Sequence, residues 1–174
     1  MTPRIVPSKK LVLPLSSTKE LSELRYGDYV ELTGTIYTAR DVAHERLFRI
    51  IKEGKDLPIP LLNQAIYYLG PSPARPGEIS GAAGPTTSAR MDKYTPALLD
   101  AGLKVMIGKG GRSELVSNSI KEHKAVYLVT VGGAGAYLAK CITSLEVIAF
   151  PELGPEAIYK LEIMNFPAFV KTVW

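Results

Sequence analysis

The stretch KVMIGKGGRSELVSNSIKEHKAVYLVTVGGAG (residues 104–135) decides the fold. Lys104–Ile107 reads as a strand, GKGGRS (108–113) as a glycine loop, and Ser113–Lys124 as a helix. Ala125–Val131 is a strongly apolar strand that runs into a second glycine loop, VGGAG (131–135), with a further helix expected over Gly133–Lys140. Upstream, Tyr29–Tyr37 is rich in β-branched and aromatic residues and reads as a strand. Asp41 then opens a helix whose apolar positions Ala43, Leu47, Ile50 and Ile51 recur at helical spacing until Gly54 ends it. Ala65–Leu69 is a short strand, and Thr95-Pro96 reads as an N-cap with proline at the first helical position, stopped by Gly102. Leu145–Phe150 and Ala157–Ile163 are expected as closing strands. Strands alternating with helices predict a mixed α/β (α+β) layered domain spanning 1–174. Residues 1–24 are read as a lead-in: a short apolar run, Leu11–Leu15, and Ser16-Ser17-Thr18 capping a small helix through Leu21 and Leu24.

Composition bounds the class. The 174 residues are 46% apolar and 22% charged, an ordinary globular balance with room for a real core. No apolar run approaches the roughly 20 residues of a membrane-spanning helix. The basic N-terminal stretch is broken by Pro14 and is not expected to be a secretory signal. A single cysteine, Cys141, makes no internal disulfide and cannot hold a zinc or iron–sulfur site alone, so a reduced, cytoplasmic setting is expected and no metal is assigned to this chain. The net charge of +4 suits an anionic ligand, and a solvated basic surface explains it equally well.

The glycines fall where chemistry is expected. TAR (38–40), GKGGRS and VGGAG each follow a strand and lead towards a helix, and GPTTSAR (84–90) closes a long loop carrying Pro71, Pro73, Pro76, Gly77 and Gly81. In open sheets such loops gather outside the carboxyl ends of the strands, so the four segments are expected to converge on one anion-friendly pocket. TARDVAH (38–44) offers Arg40 for a carboxylate, with Asp41 and His44 beside it. Taken alone it reads more readily as an Asp41 cap with an exposed arginine. GPTTSARMD (84–92) offers the hydroxyls of Thr86, Thr87 and Ser88, then Arg90 and Asp92. GKGGRS is not a Walker A loop. It does match the GXXG loop of RNA-binding KH modules, which gives a rival of a different class, although KH modules set that loop between two helices. VGGAGAYLA (131–139) lacks the third glycine of a dinucleotide fingerprint. His44 and His123 do not form a spaced metal pair.

Together, TARDVAH, GPTTSARMD, GKGGRS, VGGAGAYLA and PELGPEAIYKLEIMNFPAFV (151–170) resemble, in order, the β subunit of class I (iron–sulfur) fumarate hydratases. The related L-tartrate dehydratase β subunits and the C-terminal half of single-chain class I fumarases share the pattern, which runs here from about Leu24 to Val170. The resemblance implies a swivelling β/β/α domain that pairs with a larger, cysteine-bearing α subunit, as α2β2. That partner would carry a [4Fe-4S] cluster whose open iron acts as a Lewis acid on the substrate hydroxyl. No nucleic-acid or membrane partner is expected. On the same basis Arg40, Arg90 and Lys109, with Thr87, are expected on a C4 dicarboxylate. Thr86 is expected as the proton-transfer residue with Arg90 and Lys109 beside it, and Asp41 and His44 in a proton network or holding Arg40. Fumarate is the first substrate choice and tartrate the second.

Overall fold

In the computed structural model, which describes residues 8–174, a mostly parallel sheet closes into a barrel. Strand β1 (Lys9–Leu13) lies parallel to β2 (Tyr29–Thr38), and β2 runs on parallel to β3 (Ala65–Tyr67). Strands β4 (Val105–Gly108) and β5 (Val126–Val129) extend the parallel order. The 15-residue β7 (Ile158–Thr172) is antiparallel to β5 and to β2 at once, so the ring is complete, and it also carries β6 (Ile142–Ala149). Helices α1 (Asp41–Lys52), α2 (Thr95–Asp100), α3 (Glu114–Glu122) and α4 (Gly135–Lys140) connect the strands. Among the described residues no helix is long and apolar enough to cross a membrane.

The strands read as apolar runs because both of their faces are buried. Successive side chains point to opposite faces. Ala65, Tyr67, Val105, Ile107, Val126 and Leu128 therefore meet Leu11 and Leu13 of β1 and Leu161, Phe166 and Ala168 of β7 in one core. Ile66, Tyr68, Met106 and Tyr127 meet Ala43, Leu47, Leu98, Val116 and Ile120 of α1–α3 in a second. The Tyr67 and Phe166 rings cross edge to face at 5.3 Å in the first core, and the Tyr67 hydroxyl donates to the Ala83 carbonyl. Each such fully buried side chain contributes roughly 1.5–3 kcal/mol through apolar burial.

Several expectations change. Within the lead-in, residues 1–7 lie outside the described residues, while 9–24 are built into the domain. Lys9–Leu13 is a paired strand, and Leu11, Leu13, Leu15, Leu21 and Leu24 are core residues. The helix expected there is a 3-10 turn at Thr18–Leu21, held by a capping box between Ser17 and Glu20. The mixed α/β class stands, with the sheet closed into a ring. The closing strand extends from Ile158 to Thr172 rather than ending at Ile163, and β6 starts at Ile142. Thr95 lies inside α2, not at its cap, and its hydroxyl donates to the Met91 carbonyl at 2.9 Å.

Gly34 marks the place where β1 meets a bulge in β2. Its φ is +123°, and a Cβ there would lie 2.0 Å from the Leu13 carbonyl oxygen. Gly34→Ala is expected to loosen β1 and cost at least about 2 kcal/mol, read as a lower denaturation midpoint with β1 amides losing hydrogen-exchange protection first.

Candidate active site

The carboxyl ends of β2, β3, β4 and β5 share one edge, and the loops leaving them are stitched to one another. Thr86 N–H donates to the Tyr68 carbonyl at 2.7 Å, Ser88 N–H to the Lys109 carbonyl at 3.1 Å, and Ala83 N–H to the Gly135 carbonyl at 3.0 Å. Thr87 and Lys109 form a parallel bridge. TAR, GPTTSAR, GKGGRS and VGGAG therefore converge, as the glycine punctuation predicts. Two glycines allow the close approach. A Cβ on Gly108 would lie 1.9 Å from Ser88 Oγ, and one on Gly70 would lie 2.5 Å from Arg40 Nη1.

Arg90 forms the centre of the polar array. Its Nε and Nη2 donate to the two carboxylate oxygens of Asp41 at 3.1 and 3.0 Å, and Nη2 also donates to Thr86 Oγ1 at 3.0 Å. The fork grips a carboxylate in the planar, bidentate manner that suits a guanidinium. The pair is about half-open to water, so it is worth at most about 1 kcal/mol of stability, and its significance is geometric. Arg40 occupies the N-cap position of α1 with extended backbone. Its Nε is buried without a hydrogen-bond partner, and Glu156 stands off at 3.8 Å. Thr87 and the Lys109 side chain are exposed on the same edge.

His44, one turn into α1, is fully buried, with Nδ1 2.9 Å from the Arg40 carbonyl. That carbonyl only accepts, so Nδ1 carries the proton and Nε2 is left as an unpartnered acceptor. The ring meets Tyr68 edge to face at 5.2 Å. Burial pushes its pKa down to about 4 against the opposing effect of the Arg40 hydrogen bond, which keeps the ring neutral.

Sequence reasoning passed over a second array. The Arg112 side chain is wholly buried, donating from Nε to Asp92 Oδ1 at 2.6 Å, from Nη1 to the Tyr68 hydroxyl at 3.0 Å and from Nη2 to Thr95 Oγ1 at 2.6 Å. Its guanidinium lies 5.3 and 5.0 Å from the Tyr68 and Tyr127 ring centres. Only the arginine within GKGGRS hinted at this, because its partners are distant in sequence.

The GKGG loop links a strand to a helix, so the KH arrangement, a loop between two helices, is not the one present. Among the described residues no three His, Cys, Asp or Glu side chains stand where they could share a metal ion. Cys141 ends α4 as a buried thiol whose pKa burial raises, away from the thiolate form a metal needs. These donors do not fit a [4Fe-4S] cluster.

The neutral, buried His44 has a consequence in acid. The unfolded chain binds a proton near pH 6.5 that the folded chain refuses down to about pH 4, so stability is lost as pH falls across that window. His44→Gln is expected to reduce this acid sensitivity by up to about 3 kcal/mol, measured as the difference between the two proteins' urea-unfolding free energies at pH 6.5 and 4.

The sequence matches the family described as Fumarase C-terminus over residues 5–173. It is 43% identical over 153 residues to the anaerobic class I fumarate hydratase of Escherichia coli, covering 87% of this chain and 28% of that protein. Fumarate hydratase 2 of Leishmania major is 40% identical over 154 residues, 87% of this chain and 27% of the relative. A protein of Methanocaldococcus jannaschii named for the subunit beta of L(+)-tartrate dehydratase is 35% identical over 153 residues, 85% of this chain and 78% of the relative. The chain thus spans little more than a quarter of the fumarate hydratases it matches. Because the match runs through every segment gathered at the barrel's edge, the chain belongs to the Fumarase C-terminus family, and the relatives it resembles carry the names of class I fumarate hydratases and of a tartrate dehydratase subunit beta.

Proposed function

We propose that this chain is the β subunit of an iron–sulfur hydro-lyase that interconverts fumarate and (S)-malate. The observation that carries the reading is the Arg90 fork, which grips one carboxylate while its Nη2 also reaches the hydroxyl of Thr86. Adding water across fumarate requires both carboxylates held and one proton moved at the adjacent carbon. Arg40, Arg90 and Lys109 are the cations for the carboxylates, with Thr87 beside them. Arg40 brings a buried Nε that no hydrogen bond satisfies, with the Glu156 carboxylate 3.8 Å away, and Arg90 brings a fork already shaped to a carboxylate. Asp41 holds that fork until substrate arrives.

In dehydration Thr86 acts as its alkoxide. Oγ1 takes the carbon proton as the neighbouring C–O bond breaks and hydroxide leaves. Passing that proton on to the hydroxide gives water and restores the alkoxide, and hydration runs the same steps in reverse. A threonine hydroxyl is a weak base, and the hydrogen bond from the Arg90 guanidinium lowers the cost of its alkoxide form. Charge builds on the neighbouring carboxylate as the carbon proton leaves, so these cations act more strongly in the transition state than in the ground state. His44 is assigned to holding the Arg40 carbonyl, which its Nδ1–H reaches, rather than to carrying a proton across the site.

This chain's donors do not suit the cluster, so the reading places it on a cysteine-bearing α subunit, in an α2β2 assembly. The M. jannaschii relative, matched over most of its length and named a subunit, supports reading the region as one half of a two-part enzyme. Fumarate is preferred to tartrate because the fumarate hydratases are the more similar relatives.

Anaerobic co-purification from the native lysate is expected to bring down an iron-bearing partner and fumarate hydration. Tartrate dehydration in its place corrects the substrate alone, and recovery of RNA without iron sinks the reading. In that complex Thr86→Ala is expected to lower kcat by about 1,000-fold with KM nearly unchanged. Arg90→Lys keeps the charge and loses the fork, and is expected to cost about 100-fold in kcat/KM; near-normal turnover of either variant contradicts the role given to that residue.

A further inference from the structure

We propose that Arg112 is the positioning residue of the substrate clamp, fixing the spacing between Arg90 and Lys109 from inside the protein. The inference rests on the clamp reading above. A guanidinium with no exposed side-chain surface is costly to bury unless every nitrogen finds a partner, and here each one does. The partners lead to each of the segments that carry site residues.

Asp92 caps the 3-10 turn Ser88–Met91 that bears Arg90, and its Oδ2 accepts the Ser113 N–H at 2.7 Å beyond the glycine loop. The ion pair therefore ties the Arg90 turn to the loop that presents Lys109. Tyr127, stacked on the guanidinium, donates to the Gly110 carbonyl at 2.9 Å. It also lies 2.8 Å from Ser88 Oγ, which accepts the Lys109 N–H at 3.1 Å. Tyr68, the second ring on Arg112, accepts the Thr86 N–H through its carbonyl and packs its ring on His44, which holds the Arg40 carbonyl.

Lysine cannot replace this group. Three acceptors and two ring faces match a planar fork, and an ammonium offers a point charge without a plane. A dicarboxylate clamp gains affinity over a monocarboxylate only while its cations keep a fixed separation. Arg112 is thus coupled to the chelation of two carboxylates, beyond its share of the protein's stability.

The test compares competitive inhibition by succinate and by propionate in the partner-bound enzyme. Arg112→Lys is expected to raise the succinate inhibition constant about tenfold or more, while the propionate constant changes less than about threefold. A purely structural role lowers the active fraction and kcat and leaves the ratio of the two constants where it was. An unchanged ratio in folded, partner-bound enzyme overturns the proposal. If Arg112→Lys does not fold, Asp92→Asn, which keeps the shape and removes the counter-charge, is read by the same ratio, and a wild-type ratio again overturns it. Arg90→Ala in the same series tests the clamp separately: undiminished turnover and succinate inhibition there remove the reading beneath the proposal, whatever Arg112 does.

Discussion

Strand β7 has β2 along one edge and β5 along the other, and the rest of the molecule depends on the closure this makes. A parallel sheet of four short strands would leave rows of unpaired backbone donors and acceptors at both ends. One long antiparallel strand satisfies both ends at once and bends the sheet into a ring. The ring creates an interior that the chain fills with leucine, valine and aromatic side chains, while the outer face takes the helices. It also sets the carboxyl ends of β2 to β5 along a single arc, so loops far apart in sequence meet there.

Two arginine–aspartate pairs sit on that arc, and they differ in kind. Arg112–Asp92 is buried, stacked between tyrosines and saturated with partners, so no small ligand can compete for it. Arg90–Asp41 is half-open to water, where an ion pair contributes little and exchanges readily. The fold thus separates a charge enclosed by its partners from one that solvent and dissolved anions can reach. His44 belongs with the enclosed part: burial keeps it neutral and leaves it a hydrogen-bond donor to the backbone of Arg40.

The gathering of the candidate site's loops was legible in the sequence because local chemistry signals it, whereas the roles given to its residues came from the family resemblance. Apolar strands ending in glycine loops announce where a parallel sheet presents its ligand edge, and Arg40, Thr86, Thr87, Arg90 and Lys109 all fall there. Features that depend on long-range register were not legible. The run Leu11–Leu15 is short and broken by Pro14, and only the pairing of Lys9–Leu13 with Val30–Gly34 makes its first three residues part of a strand. Nothing near Ile163 shows that β7 must continue to Thr172, since its partners there are the distant strands β2 and β5. Arg112 reads as one more loop cation until Asp92, Thr95 and Tyr68 are brought to it by folding.

The space that Gly108 leaves open is filled by the hydroxyl of Ser88, and that hydroxyl accepts the Lys109 amide. Positions 88 and 108 consequently form a single unit of variation. Any side chain gained at 108 requires the loss of the one at 88 and a shift of the Tyr68 ring, which lies 2.8 Å from the position of the added Cβ, and the loss at 88 leaves the Lys109 amide without its acceptor. Packing therefore leaves almost no freedom at buried Ser88 and imposes no such constraint on its exposed neighbour Thr87.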